Sequence, residues 1–563
     1  MWVGALPHSA GVFPPRDSLA GRRRWVAIFT AAVPWLLLLA ARLWLAGRLE
    51  VNSDEPQHLH VVWGWAVGLL PYRDLFDNHA PLFQWLMAPL IAMLGERADI
   101  LLPMRWAMIP FYFATLGATH ILSNRLWPGP VALRTTWLVA LFPSVFVVAA
   151  QFRPDDLWML AWTAALALAL AGRFGAWRAF SAGIVTGIAF TVSLKTLLLV
   201  ATFAVAWGAV VMIAVARGAR WRRWLRAAPA GAFLAGCVLV PGLAIGYFVA
   251  HGIEYTMLYD VVLHNLVPGL GRWQHAGLHD LLLVAIAPML WMVWRHMPHP
   301  AVPADFARAS LLLWAGVYLV VLYGYWPLVT HQDLLPVAPA IAMALAVGST
   351  HLPVRGRLAW PRIAFATLLA AELLISAIEA RPWENRLQPF ETGLARVLRL
   401  TTPGDYVMDA KGETIFRMRP VYWVLESVTE ARMADGSIAD DIIPRLVATE
   451  TPIVRTERLP PPDLAFVQRN YLPAGGTLYI AGRRLGLLRP GIPHPFTIAV
   501  PQDYALIDPA GPCRASFDGG AVSTSARLTA GPHRVTAEAP CDALLVWRPA
   551  LARGFDPAPL FAH

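Results

Sequence analysis

The isolated acids and bases of the first 380 positions concentrate in 47–102, 151–156 and 251–278, and three short segments in the first two of these carry residue types and spacings that could do chemistry. The first is Val51-Asn-Ser-Asp-Glu-Pro-Gln-His58, with adjacent carboxylates at Asp54 and Glu55. A carboxylate at the start of a helix-like stretch (56–70), held rigidly in a partly desolvated place, suits a general base. The same residues serve a plainer purpose equally well, with Asp54 as N-cap and Gln57 three positions on. The second segment, Leu70-Pro-Tyr-Arg-Asp-Leu-Phe-Asp-Asn-His-Ala-Pro-Leu82, clusters Arg73, Asp74, Asp77 and His79, and here Asp77 or Asn78 can cap the helix that follows. The third is the turn Gln151-Phe-Arg-Pro-Asp-Asp-Leu157, carrying Arg153, Asp155 and Asp156. Charges beside hydrocarbon are costly unless paired or wetted, so these segments predict a shared polar cavity. Lys195, at the end of a span, offers a cation that a phosphate would need, although a lysine there can also simply snorkel. His58 and His60 are two apart and do not face one another on a helix, so no metal site is expected from them.

The elements that position these residues are set by composition. Of 563 residues 57% are hydrophobic and 15% charged, and mean hydropathy is +0.51. A soluble chain carries about 25% charged residues, so a soluble protein is excluded. The 46 Lys+Arg against 36 Asp+Glu give +10. Nucleic acid is not the partner this implies, because the arginines fall in bursts between apolar runs, the signature of membrane topology. Three cysteines exclude a disulfide scaffold and a cysteine-based metal cluster. Only Lys195 and Lys411 are lysine.

The first apolar run, Trp25 to Ala46, follows Arg22, Arg23 and Arg24 and reads as a retained anchor with residues 1–24 as a cytoplasmic lead. Residues 81–95 would cover roughly 22 Å as a helix, too short to cross, and read as interfacial. Ten more spans follow near 103–122, 131–150, 157–172, 179–194, 197–216, 228–250, 279–296, 309–325, 334–350 and 363–379. This count of eleven puts every strong basic burst inside, including Arg217 to Arg226. It leaves 47–102, 151–156, 251–278 and everything after 380 outside. The fold class expected is thus an α-helical integral membrane module over 25–379 with an extracytoplasmic C-terminal region. In that region a helix-like Phe390 to Leu400 and strand-like runs at 405–409 and 477–481 suggest an α/β lobe over 380–490. Alternating runs from 496 suggest a small β-sandwich over 491–563. Cys513 and Cys541 lie in it, either as a pair closing a loop worth ~3.6 kcal/mol or as two buried thiols.

The acidic pair after the first span, the Pro-Tyr-Arg-Asp…Asp-Asn-His-x-Pro-Leu segment and the Arg-Pro-Asp turn together resemble the bacterial polyprenyl-phosphate-sugar-dependent glycosyltransferases of the GT-C fold, relatives of protein O-mannosyltransferases and of the aminoarabinose transferase acting on lipid A. The likeness covers about 24–350. It departs at Ala80, where relatives carry a second proline, and at Thr330-His-Gln-Asp-Leu-Leu-Pro336, where they show an aromatic before Leu-Leu-Pro. The resemblance implies transfer of a hexosyl or pentosyl unit from a polyprenyl-phosphate donor in the inner membrane. The acceptor would be a lipid, glycan or protein on the outer face; membrane lipids are partners and nucleic acid is not. Asp54 is the implied base with Glu55 beside it. Arg73, Asp74, Asp77, His79, Arg153, Asp155, Asp156 and Lys195 are the expected binding residues, with Arg272 a weaker choice. No cofactor is expected, although a divalent metal fits the chemistry. The competing class is a multi-spanning transporter or lipid flippase, which also carries intramembrane charge.

Overall fold

The computed structural model describes residues 16–170, 175–219, 227–267, 273–274, 290–291, 294, 302–326, 328–352, 354–355 and 358–561. Its first two thirds are helical. The first helix, α1 (Arg16–Ala46), is followed by α2 (Asp54–Ala66) and α3 (Leu82–Leu94), and the last two pack on one another. Then come α4 (Leu101–Trp106), α5 (Ile109–Leu126), α6 (Pro130–Leu141), α7 (Pro143–Val148), α8 (Asp155–Leu170), α9 (Ala176–Val192), α10 (Thr196–Ala216) and α11 (Ala227–Ala250). At 13 residues α3 reaches only about 20 Å, short of a hydrocarbon core of ~30 Å.

Among the described residues five helical segments are long and apolar enough to cross a membrane: α10, α11, Pro303–Tyr325, His331–Thr350 and Trp360–Ala380. They differ in what surrounds them. The apolar stretch of His331–Thr350 is 94% buried and forms the centre of the bundle, whereas that of α11 is 11% buried and forms its rim. Of the expected span at 279–296 only Leu290, Trp291 and Trp294 are described, and the burst at 220–226 lies outside the described residues. One hydrophobic core runs from Leu38 through Trp158, Trp314 and Ile341 to Phe416, so the start of the C-terminal region is already seated on the membrane module.

After the helix Gln388–Leu400 the chain builds two sheets. The larger runs Gly511–Pro512, Gln502–Asp508, Cys541–Trp547, Leu478–Leu488, Ile453–Arg455, Val407–Met408, with Ser525–Leu528 and Tyr471–Pro473 as side branches. The smaller runs Val522–Ser523, Ala515–Phe517, Gly531–Ala537, His494–Ile498. Leu478–Leu488 is eleven residues long and pairs with Ile453–Arg455 through one half and with Cys541–Trp547 through the other. The division expected at 490 therefore falls inside a single sheet and a single core that extends from Val397 to Ala550. Gln502–Asp508, a central strand of that sheet, has no counterpart in the strand pattern read from sequence. Cys513 and Cys541 are joined as a disulfide.

Candidate active site

Asn52 and Glu55 shape the start of α2. The Asn52 Oδ1 accepts the Asp54 N–H at 3.0 Å, and the Glu55 carboxylate accepts the Asn52 N–H at 2.9 Å. This corrects the capping expectation: Ser53 occupies the N-cap position without a side-chain bond, Asp54 is the first helical residue, and its carboxylate is free for other partners.

Glu55 is fully buried. Arg105 of α4 grips it through two bonds at 2.6 and 2.8 Å and also donates to the carbonyls of Ala46, Leu49 and Glu50. The remaining capacity of Glu55 takes the Phe152 N–H at 2.6 Å. One carboxylate thus fastens the end of α1, the start of α2 and the 151–154 turn together.

That turn delivers Arg153 to Asp54, with Nη1 at 2.6 Å from Asp54 Oδ2 and 2.7 Å from Asn52 Oδ1. Asp155 holds the other edge of the guanidinium, accepting from Nε at 2.9 Å. The second oxygen of Asp54 accepts from Lys411 Nζ at 2.5 Å. Lys411 comes from the C-terminal domain and also meets Glu426 at 3.3 Å. Burial would raise the Asp54 pKa, but Lys411 and Arg153 outweigh it and hold the carboxyl well below the usual range. For Lys411 burial works against the charge, and Asp54 and Glu426 outweigh it and raise the pKa.

The 70–82 segment encloses the other side. Asp77 is buried and accepts the His79 N–H at 3.0 Å, with His79 Nδ1 at the same distance from the same oxygen. The His79 ring stands edge-on to His58, centroids 4.5 Å apart. Burial, then His79 and Arg153, push His58 well below its ordinary value, so it is neutral. Asn78 donates to Glu426 Oε1 at 2.8 Å and accepts from Gln57 at 3.0 Å. Asp77 and Asn78 therefore do not cap α3, whose N-cap position is Pro81. Tyr72 sits in the left-handed region at φ 66°, held there by burial and by its hydroxyl donating to His79 O at 2.7 Å.

The remaining predicted residues have partners other than Asp54, and Asp74 lines one cavity with Gln57 and Lys411. Arg73 pairs with Asp74 in water, and Asp74 also accepts the Leu70 N–H. Asp156 is buried and faces Arg42 of α1, with Oδ2 lacking a partner among the described residues. Lys195 donates to Asp333 Oδ1 at 2.6 Å, and Asp333 caps the turn Thr330 begins. Arg272 lies outside the described residues. His60 Nδ1 lies 2.8 Å from Ile415 O, and the ring seats the loop that carries Lys411. Among the described residues the one group of three possible metal ligands is Asp508, Cys513 and Cys541, whose two sulfurs are bonded to each other.

Sequence reasoning missed Lys411, Glu426 and Arg105. Lys411 carried a signal, being one of two lysines in a chain whose other basic residues are all arginine.

No family model matches the sequence, and no curated protein does. Among solved structures, ArnT from Cupriavidus metallidurans in the apo state superposes with TM-score 0.58 at 14% identity, covering 82% of this chain and 98% of that one. The same protein bound to undecaprenyl phosphate gives TM-score 0.55 at 14% identity over 81% and 97%. The oligosaccharyltransferase AglB from Archaeoglobus fulgidus, in complex with an inhibitory peptide and a dolichol-phosphate, gives 0.42 at 12% identity over 74% and 69%. The likeness to ArnT extends over nearly its whole length, so the chain has the GT-C fold that its motifs resemble.

Proposed function

We propose that this protein is a membrane glycosyltransferase moving one sugar, hexosyl or pentosyl, from a polyprenyl-phosphate donor to an acceptor hydroxyl on the outer face of the inner membrane. The observation that carries this reading is Asp54, fixed at a helix start with 22% of its side chain exposed and with Arg153 on one oxygen. The acceptor O–H attacks the anomeric carbon, the bond from that carbon to the phosphate oxygen breaks, and the proton passes to Asp54. The donor phosphodiester leaves as a polyprenyl phosphate with one more negative charge. A phosphate is already a good leaving group, so the protein need only orient the hydroxyl, accept its proton and neutralise the departing charge.

Arg153 fits the last task because Asp155 and Asn52 fix its orientation. Glu55 is assigned to positioning, since Arg105 and two backbone N–H groups use up its carboxylate. Lys195, paired with Asp333, is assigned to holding α10 against the central helix. The shared fold with ArnT, which binds undecaprenyl phosphate, supports a lipid-phosphate donor over the transporter reading. Eleven spans with the C-terminal region outside agree with the basic bursts, and a disulfide in that region suits an oxidising compartment.

Mass spectrometry of envelope lipids, glycans and proteins from cells with and without the gene tests this function. The reading expects one sugar-bearing species to disappear and its unglycosylated precursor to accumulate. An unchanged profile, with the lipid-linked donor present in both strains, would count against it.

A further inference from the structure

Lys411 reaches Asp54 from a loop whose construction serves that reach. Asp409, fully buried, ends the strand Val407–Met408 and accepts from Gly412 N at 2.8 Å, Thr414 N at 2.7 Å, Thr414 Oγ1 at 2.7 Å and Arg419 Nε at 2.9 Å. These four bonds close 409–419 around one carboxylate and leave Lys411 at the tip. Gly412 adopts φ +82°, and a Cβ there would lie 2.7 Å from His60 Cβ, so only glycine lets the tip sit this close to α2.

Contacts besides the lysine join the C-terminal domain to the helices: His60 on Ile415 O, Arg417 on Glu96 at 2.9 Å, Tyr422 on Asp260 at 2.5 Å, Asn78 on Glu426 at 2.8 Å and Arg432 on the backbone of 263–266. Asp54 has one cation on each oxygen, and they differ in kind. Arg153 is clamped by Asp155 and Asn52, whereas Lys411 is a point charge on a flexible stem with Glu426 as a second resting place 3.3 Å away. A carboxylate held by two cations is a poor base. An arriving phosphate competes for the mobile one.

We propose that Lys411 is a catalytic residue lent by the C-terminal domain, which leaves Asp54 for the donor phosphate and so makes Asp54 a competent base only in the donor-loaded enzyme. This rests on the transfer reading above. The consequence is selective. Without donor, Asp54 stays neutralised and idle, and with donor the same ammonium balances the charge that builds on the leaving phosphate while Glu426 keeps it within reach. No redox step or co-reactant is needed, since one proton moves to Asp54 and one C–O bond is exchanged for another.

The test uses the purified full-length protein in detergent, undecaprenyl phosphate as the binding probe, and donor-dependent transfer as the kinetic readout. The groups facing Asp54 are Arg153 of the 151–154 turn, His58 of α2, His79 of the 70–82 segment, and Lys411 and Glu426 of the C-terminal domain. Because the cations depress the Asp54 pKa, loss of Lys411 moves the acid limb of kcat/KM to higher pH. Lys411→Met should therefore weaken undecaprenyl phosphate binding by about tenfold or more, lower kcat, and shift that limb upward. A folded Lys411→Met protein with unchanged binding and an unmoved limb would overturn the proposal.

If Lys411→Met does not fold, Lys411→Arg decides. It keeps the charge, but its planar fork binds Asp54 in two places and does not release, so kcat should fall while the acid limb stays; wild-type kcat would overturn the release step. Asp54→Asn measured alongside separates the two readings. Normal turnover of Asp54→Asn removes the site itself, whereas loss there with a normal Lys411→Met removes only this inference.

Discussion

Asp54 and Glu55 are neighbours in sequence with different surroundings: Asp54 opens toward solvent with cations at its tip, while Glu55 is fully enclosed by Arg105 and two backbone N–H groups. Removing one partner of a buried pair leaves an uncompensated charge, at a cost of about 3–5 kcal/mol. Arg105→Met should accordingly lower thermal stability in detergent sharply, and Arg105→Met combined with Glu55→Gln should recover part of the loss. If the single variant melted at the wild-type temperature, Glu55 would not be fastening the loops. At this scale the sequence was readable where partners are close along the chain. Asp54, Arg153 and Asp155 sit in short motifs, and their types announce their chemistry. Lys411 was not readable as Asp54's partner because 357 positions separate them, and a burial pattern at 411 carries no information about what it meets. Lys195 drew the assignment instead because it lies at a span end, where sidedness alone can be inferred; the structure gives it Asp333.

Among the described elements, α9 and α11 pack at close range, with Gly183 and Gly187 against Gly236 and Cys237. A Cβ at Gly183 would collide with the Phe233 carbonyl, and one at Gly187 would lie 2.7 Å from the Cys237 carbonyl. Small residues are how helices in lipid gain contact, since burial of apolar surface gives no advantage there. Gly183→Leu should push these helices apart and reduce thermal stability and yield, while Gly117→Leu, at a site with open space where a Cβ would stand, should be tolerated. Equal behaviour of the two variants would argue against a specific α9–α11 seam. Long apolar helices were legible because hydrocarbon thickness dictates their length. The start of α2 was displaced by one position because Asn52 and Glu55 hydrogen-bond across it, which a rule seeking an acidic N-cap does not capture. The strand Leu478–Leu488 was seen only in its first half. Its second half loses the apolar alternation, with Arg483 half-buried and Arg484 exposed on successive positions beside Cys541–Trp547.

For the whole molecule, membrane character follows from hydropathy because the bilayer imposes apolar spans, whereas the GT-C fold was legible only through the family resemblance that three motifs carry. The seating of the C-terminal domain over the site was not legible, since its contacts join segments hundreds of residues apart through single side chains such as Arg417 and Tyr422. That seating requires the domain to share a face of the membrane with Asp54. A reporter fused near residue 450 should read extracytoplasmic, and a cytoplasmic signal there would break both the orientation and the assembled site. The central claim, that Asp54 accepts the acceptor's proton, is tested most directly by Asp54→Asn in donor-dependent transfer with purified protein. Asparagine keeps the shape and removes the basic oxygen, so the folded variant should lose transfer by on the order of 10² or more while the fold and membrane insertion persist. Turnover near the wild-type rate in Asp54→Asn would contradict it.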